Sequence, residues 1–259
     1  MFSLFRKNLT GFQLATAERS SRGGRETNQD SCFSGWTQRG LLLAVMADGL
    51  GGHAGGEVAS RLAVEAVRGH VAEVTPETAG QELPLALRLA HQSILEQARQ
   101  DARLAQMKST CVAVLLAKGE MLFAAVGDSR LYHFRESRPI FMTRDQSVAQ
   151  LLVDSGQLTQ EEALRHPDRH RLYQALGMDG EVRVQEGDAG VALQPGDALL
   201  LCTDGFWQYM DAEAAARGLC EQSGTARQRL DKLFGMVAGA AAQCDPRHDN
   251  MSALVVCVT

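Results

Sequence analysis

The order of apolar patterns along this 259-residue chain predicts an α+β fold built in layers. Two observations carry that expectation. Strand-like segments follow one another in runs with no helix between them. Long amphipathic helices come in pairs between those runs. The strict alternation of strand and helix that marks a parallel sheet with crossovers is absent. No Pro/Ser-rich linker, internal repeat or low-complexity tract divides the sequence. One domain is therefore expected over 13–259, after a flexible leader over 1–12, "MFSLFRKNLTGF".

Taken in order, "FQLATAERS" and "SCFSGWTQRG" read as two strands of an N-terminal edge region. "LLLAVMA" is a continuous apolar run, as for a strand buried on both faces. "GGEVASRLAVEAVRGHVAEV" then sets Val58, Leu62, Ala66 and Val67 on one helical face. "LPLALRLAHQSILEQARQ" does the same with Leu85, Leu89, Ile94 and Leu95. Successive strands are expected in "STCVAVLLAKGEMLFAAVGDSRLYHF", with turns at Lys118-Gly119-Glu120 and Gly127-Asp128. "SVAQLLVDSG" is a short helix closed by Gly156. The next helix opens on a capping box, Thr159 with Glu162, and Pro167 breaks it. The charged stretch from about 144 to 178 reads as a surface insert able to move. "DALLLCTDG", the helices "DAEAAARGLCEQ" and "TARQRLDKLFGMVAGAAAQ", and the strand "NMSALVVCVT" complete the chain.

Composition narrows the function. A net charge of -5 argues against a non-specific nucleic-acid or anionic-membrane binder, which shows a basic patch. Aromatics at 5% leave little for a base-stacking platform. None of the six cysteines forms a C-x-x-C pair, and most lie in apolar runs. They read as core thiols of a reducing, cytoplasmic compartment. No apolar run approaches the ~20 residues that span a bilayer.

Four acids share one position. Asp48 follows "LLLAVMA", Asp128 follows "LFAAVG", Asp204 follows "LLLCT", and Asp249 precedes "NMSALVVCV". Singly, each is a turn former at a strand end. Strand ends of one sheet converge on an edge, however, and carboxylates crowded there repel one another until a cation joins them. Oxygen donors without His or Cys at zinc spacing suit Mg²⁺ or Mn²⁺. The glycine after Asp48 lets the Gly49 carbonyl approach as well. Upstream, Arg25 in "SSRGGRETNQDS" offers a guanidinium fork for phosphate oxygens. The competing reading is a dinucleotide fingerprint, Gly49-x-Gly51-x-x-Ala54. Asp48 stands where pyrophosphate would sit, and no acid-ended strand follows about 20 residues on.

Together, "RETNQD", "ADGLGGHAGGEVAS", "VGDSRLY", "CTDGFW" and "DNMSALVV" resemble, in order, the motifs of protein phosphatase 2C-like (PPM) metal-dependent serine/threonine phosphatases of the bacterial branch. The segment 144–178 resembles the flap of that branch. The resemblance implies a four-layer α-β-β-α sandwich, a central antiparallel β-sandwich flanked by helix pairs. It implies hydrolysis of phosphoserine and phosphothreonine in proteins by a hydroxide bridging two Mn²⁺ or Mg²⁺ ions. Asp48, the Gly49 carbonyl, Asp204 and Asp249 would hold those ions. Asp128 would hold a third, weaker ion, and Asp30 a metal-bound water. Arg25 would bind the substrate phosphate. His53 is the candidate acid for the leaving oxygen, or a residue that positions water or the turn. One departure is Gln29, where many relatives carry Glu; weaker metal affinity is expected from the lost charge. The implied partners are phosphoproteins, among them a cognate serine/threonine kinase and its substrates, met by a monomer. The alternative is a catalytically weak, phosphoprotein-binding signalling adaptor of the same fold. His166 and His170 read as surface residues, and Asp145 as a helix cap.

Overall fold

The computed structural model describes residues 12–51, 54–187, 192–221 and 223–259. The leader expected over 1–12 lies, but for Phe12, outside them. The chain opens with β1 (Leu14–Ser21), β2 (Asp30–Trp36) and β3 (Leu42–Leu50), then α1 (Ala54–Val71) and α2 (Ala79–Gln100). A second run of strands follows: β4 (Lys108–Ser109), β5 (Cys111–Ala117), β6 (Glu120–Val126), β7 (Arg130–Arg135) and β8 (Arg138–Met142). Next come α3 (Val148–Asp154), α4 (Gln160–Ala163), β9 (Gln185–Glu186) and β10 (Ala198–Cys202). The chain closes with α5 (Asp204–Trp207), α6 (Ala212–Leu219), α7 (Ala226–Cys244) and β11 (Met251–Val258).

The strands form two antiparallel sheets. One runs β1-β11-β10-β7-β8, the other β2-β3-β5-β6-β9 with β4 beside β3. Three apolar clusters fill the gaps between layers. Alternation along each central strand explains them. Leu43, Val45 and Ala47 of β3 face α1 and α2, while Leu42, Ala44 and Met46 face the other sheet. Met251, Ala253, Val255 and Cys257 of β11 face α6 and α7, while Leu254, Val256 and Val258 point back between the sheets. Both faces of these strands are buried, so their sequences read as continuous apolar runs although their sheets are antiparallel. The result is the helix–sheet–sheet–helix order expected above, and each fully buried Leu or Val contributes about 1.5–3 kcal/mol.

Several local expectations need correction. β1 and β2 are not neighbours in one sheet. β1 pairs with β11 and β2 with β3, at the edges of opposite sheets. The buried face of α2 carries Leu83, Ala86, Leu87, Ala90 and Ile94, whereas Leu85 and Leu89 are 39% and 40% exposed. The alanines let α1 and the sheet approach closely, so the small residues take the core and two leucines are left outside. Asp145 does not cap α3. Ser147 does, accepting from the Gln150 N–H, while Asp145 is paired with Arg130. The Thr159–Glu162 capping box is present, and α4 ends ahead of Pro167.

Candidate metal and phosphate site

Topology gathers the acids. β10 ends and β11 begins at the same edge, which sets Asp204 near Asp249. In the facing sheet, Asp30 and Asp48 are direct partners across β2 and β3. Asp128 sits where the chain passes from β6 in one sheet to β7 in the other. Asp48, Asp128, Asp204 and Asp249 line one cleft of about 440 Å³, with Gly49 and Gln29 in its wall and Arg25 at its rim.

The acids feel one another. Burial, then the charges of Asp30 and Asp204, holds the Asp48 carboxyl well above its usual range. Asp128 is raised in the same direction by burial and then by Asp204. Asp30 is pushed up to about 7, chiefly by burial, although hydroxyls of Ser252 and Thr203 oppose the shift. Its Oδ2 accepts from Thr203 Oγ1 at 3.1 Å, whereas its Oδ1 is shut from solvent with no hydrogen-bond partner. A buried carboxylate oxygen without a donor, among acids that raise one another, is an arrangement that a cation or its bound water relieves.

The backbone holds this cluster firmly. The Asp48 N–H donates to Thr110 Oγ1 at 3.0 Å, and its carbonyl accepts from Ser109 Oγ at 2.9 Å. A Cβ on Gly205, beside Asp204, would lie 2.1 Å from the Asn250 carbonyl oxygen, and one on Gly49 would lie 2.1 Å from that of Gly56. The glycines after Asp48 and Asp204 therefore serve close backbone packing. Trp207 Nε1 donates to the Asp128 carbonyl at 2.8 Å, and the Arg130 guanidinium stacks on the Trp207 ring at 3.5 Å. Arg130 in turn makes a buried two-pronged ion pair with Asp145 at 2.8 and 2.7 Å.

Asn250 organises the loop upstream of β2. Its Oδ1 accepts the Gln29 N–H at 2.8 Å, and its Nδ2 donates to the Arg22 and Thr27 carbonyls, each at 2.9 Å. These bonds shape the loop that carries Arg25, whose Nη2 reaches Asp249 Oδ2 at 2.7 Å. Opposite, His170 Nδ1 lies 3.0 Å from Asp204 Oδ2. His170 is at the surface as expected, its side chain 41% exposed, and it also lines the cleft; its separation in sequence from the clustered acids hid that contact. Asn250 was visible only as the neighbour of Asp249.

The structure therefore brings together Asp30, Asp48, Gly49, Asp128, Asp204, Asp249 and Arg25. His53 lies outside the described residues. No three His, Cys, Asp or Glu side chains among the described residues form a closed metal cage. Two of the acids are turned to Arg25 and His170 instead. A magnesium-type site takes one or two carboxylates with several waters, so an open carboxylate cluster with a spare buried oxygen fits such ions.

A comparison with protein families places the chain. It belongs to the protein phosphatase 2C family, whose profile matches residues 18–241. It is 34% identical over 193 residues to the serine/threonine phosphatase Stp of Listeria welshimeri, covering 73% of this chain and 76% of that protein. It is 36% identical over 212 residues to the serine/threonine protein phosphatase PstP of Mycobacterium tuberculosis, covering 80% of this chain but 39% of that longer protein. Among solved structures, the S. agalactiae serine/threonine phosphatase superposes with a TM-score of 0.85 at 26% identity, covering 95% of this chain and 100% of that one. The catalytic domain of PstP in complex with two manganese ions gives 0.77 at 30% identity, covering 95% and 98%. No helix among the described residues is long and apolar enough to cross a membrane.

Proposed function

We propose that this protein is a metal-dependent phosphatase of phosphoserine and phosphothreonine in proteins. The convergence of Asp30, Asp48, Asp128, Asp204 and Asp249 at one edge of the sandwich carries the reading. Family membership and the relatives' printed names support it.

Asp48, Asp204, Asp249 and the Gly49 carbonyl would hold two divalent ions, Mn²⁺ or Mg²⁺, and Asp128 a third. Such ions supply Lewis-acid activation of water and neutralise phosphate charge. The chain's own groups do the rest. Arg25, with its side chain 55% exposed, is free to turn its fork from Asp249 to the substrate's phosphate oxygens. The spare Oδ1 of Asp30 would accept from a water held by the ions. The serine or threonine oxygen leaves with a proton, a role assigned to His53 on family resemblance. No thiol enters the reaction. No cysteine lines the cleft, and burial pushes Cys111 up to about 12, where it stays protonated.

The substrates are phosphoproteins, including the targets of an opposing serine/threonine kinase. The reaction is carried by a single domain over 13–259, with residues 144–178 as a flap over the cleft. The test is phosphate release from a phosphothreonine peptide with Mn²⁺. Asp204→Asn should lower kcat by at least about a hundredfold, as when a main electrostatic group is lost. A variant with wild-type activity would refute the assignment of this acid.

A further inference from the structure

The cleft has a second character beside its acidic floor. Two arginines, Arg169 and Arg247, are among its lining residues. They come from separate walls, Arg169 from the segment after α4 and Arg247 from the turn between α7 and β11. Among the described residues neither side chain has an acidic partner. Their neighbours in the cleft are engaged: Arg25 with Asp249 and His170 with Asp204. Asp245, two residues before Arg247, uses its Oδ1 to accept the Arg247 backbone N–H at 2.8 Å.

Their placement relative to Arg25 is set by backbone packing. A Cβ on Gly24 would lie 2.5 Å from the Pro246 carbonyl and 2.6 Å from the Arg247 Cα. The Gly24 N–H donates to the His248 carbonyl at 3.0 Å. The loop bearing Arg25 and the turn bearing Arg247 are therefore in van der Waals contact. Tyr209 spans the gap to the other wall. Its ring meets His248 edge-on at 6.4 Å, and its phenol is within electrostatic reach of Arg169.

We propose that Arg169 and Arg247 form a second anion subsite beside Arg25, which takes a carboxylate or phosphate flanking the target phosphoresidue. This rests on the phosphatase reading above. The preferred substrates are then phosphopeptides with an acidic or second phosphorylated side chain near the scissile phosphate. Guanidinium forks suit either anion, and two of them favour the doubly charged phosphate.

The experiment compares three phosphothreonine peptides that differ only in the flanking residue: Ala, Glu or phosphoserine. The readout is the ratio of kcat/KM for each charged peptide to the neutral one, which cancels changes in the chemical step. Wild-type protein should favour a charged flank by about tenfold, the effect of one charge-assisted contact near a surface. The ratio should fall towards one in Arg169→Gln/Arg247→Gln and in high salt. A larger gain for phosphoserine than for Glu identifies phosphate as the natural occupant; the reverse identifies a carboxylate. A wild-type ratio of one, or a ratio unchanged in the variant, overturns the subsite. If wild-type protein hydrolyses none of the peptides or p-nitrophenyl phosphate, the phosphatase reading fails by itself. The Kd ratio for the same peptides, by fluorescence polarisation, then decides the subsite by the same criteria.

Discussion

Replacing Asn250 with alanine removes the hydrogen bonds to Gln29, Arg22 and Thr27 together, at a residue 5% exposed. Each is worth about 1 kcal/mol net, so the loss is about 3 kcal/mol, and more if the Gln29 N–H stays buried without an acceptor. For a chain of this size each kcal/mol lowers Tm by about 2–4 °C. Differential scanning calorimetry in chelator should therefore show a fall of about 6–12 °C. Asn250→Asp keeps an acceptor for Gln29 but turns a second oxygen on two carbonyls, so it should be no better than alanine. Kinetics give an independent readout. The loop that loses its staple carries Arg25, so KM for a phosphopeptide should rise more than kcat falls. A Tm within about 2 °C of wild type would refute this reasoning, because three part-buried bonds cannot vanish at so small a cost.

Three further outcomes are expected. Burial pushes the Asp30 carboxyl up to about 7, above the 3.8 of the ordinary side chain, so the folded state holds the extra proton between those values. Stability without metal should fall as pH rises through about 4 to 7, and Asp30→Asn should flatten that fall in a series of thermal melts. Asp145→Ala leaves the buried Arg130 charge unpaired and should cost about 3–5 kcal/mol, read by urea denaturation. Cys244 is exposed, whereas Cys111, Cys202 and Cys257 are buried. Iodoacetamide should modify Cys244 first and leave phosphatase activity intact, as mass spectrometry beside an activity assay would show.

Much of the site was legible because its chemistry is written locally. An apolar run that stops at Asp-Gly reports a strand end, an acid and a backbone close to something else. The layered architecture was legible for a similar reason, since paired helices between strand runs leave few alternatives. What stayed hidden depends on distant partners. β1 finds β11 at the far end of the chain, and nothing in "FQLATAERS" distinguishes that edge from the one β2 occupies. The packing face of α2 was misjudged because leucine outranks alanine on any apolar scale, whereas close helix packing favours alanine there. Asp145 looked like a cap because caps are local; its partner Arg130 lies on β7. His170 carries no local mark of its contact with Asp204, which depends on how the segment after α4 folds back over the cleft.

Metal dependence of phosphate release is the most direct test. Inorganic phosphate freed from a phosphothreonine peptide should be measured for wild type and Asp48→Asn, across a Mn²⁺ titration and in excess chelator. The expected result is a rate that rises with Mn²⁺ and saturates in wild type, and falls to background both in chelator and in Asp48→Asn. Undiminished hydrolysis in chelator, or a wild-type rate from Asp48→Asn, would contradict the assignment of these carboxylates as the metal site.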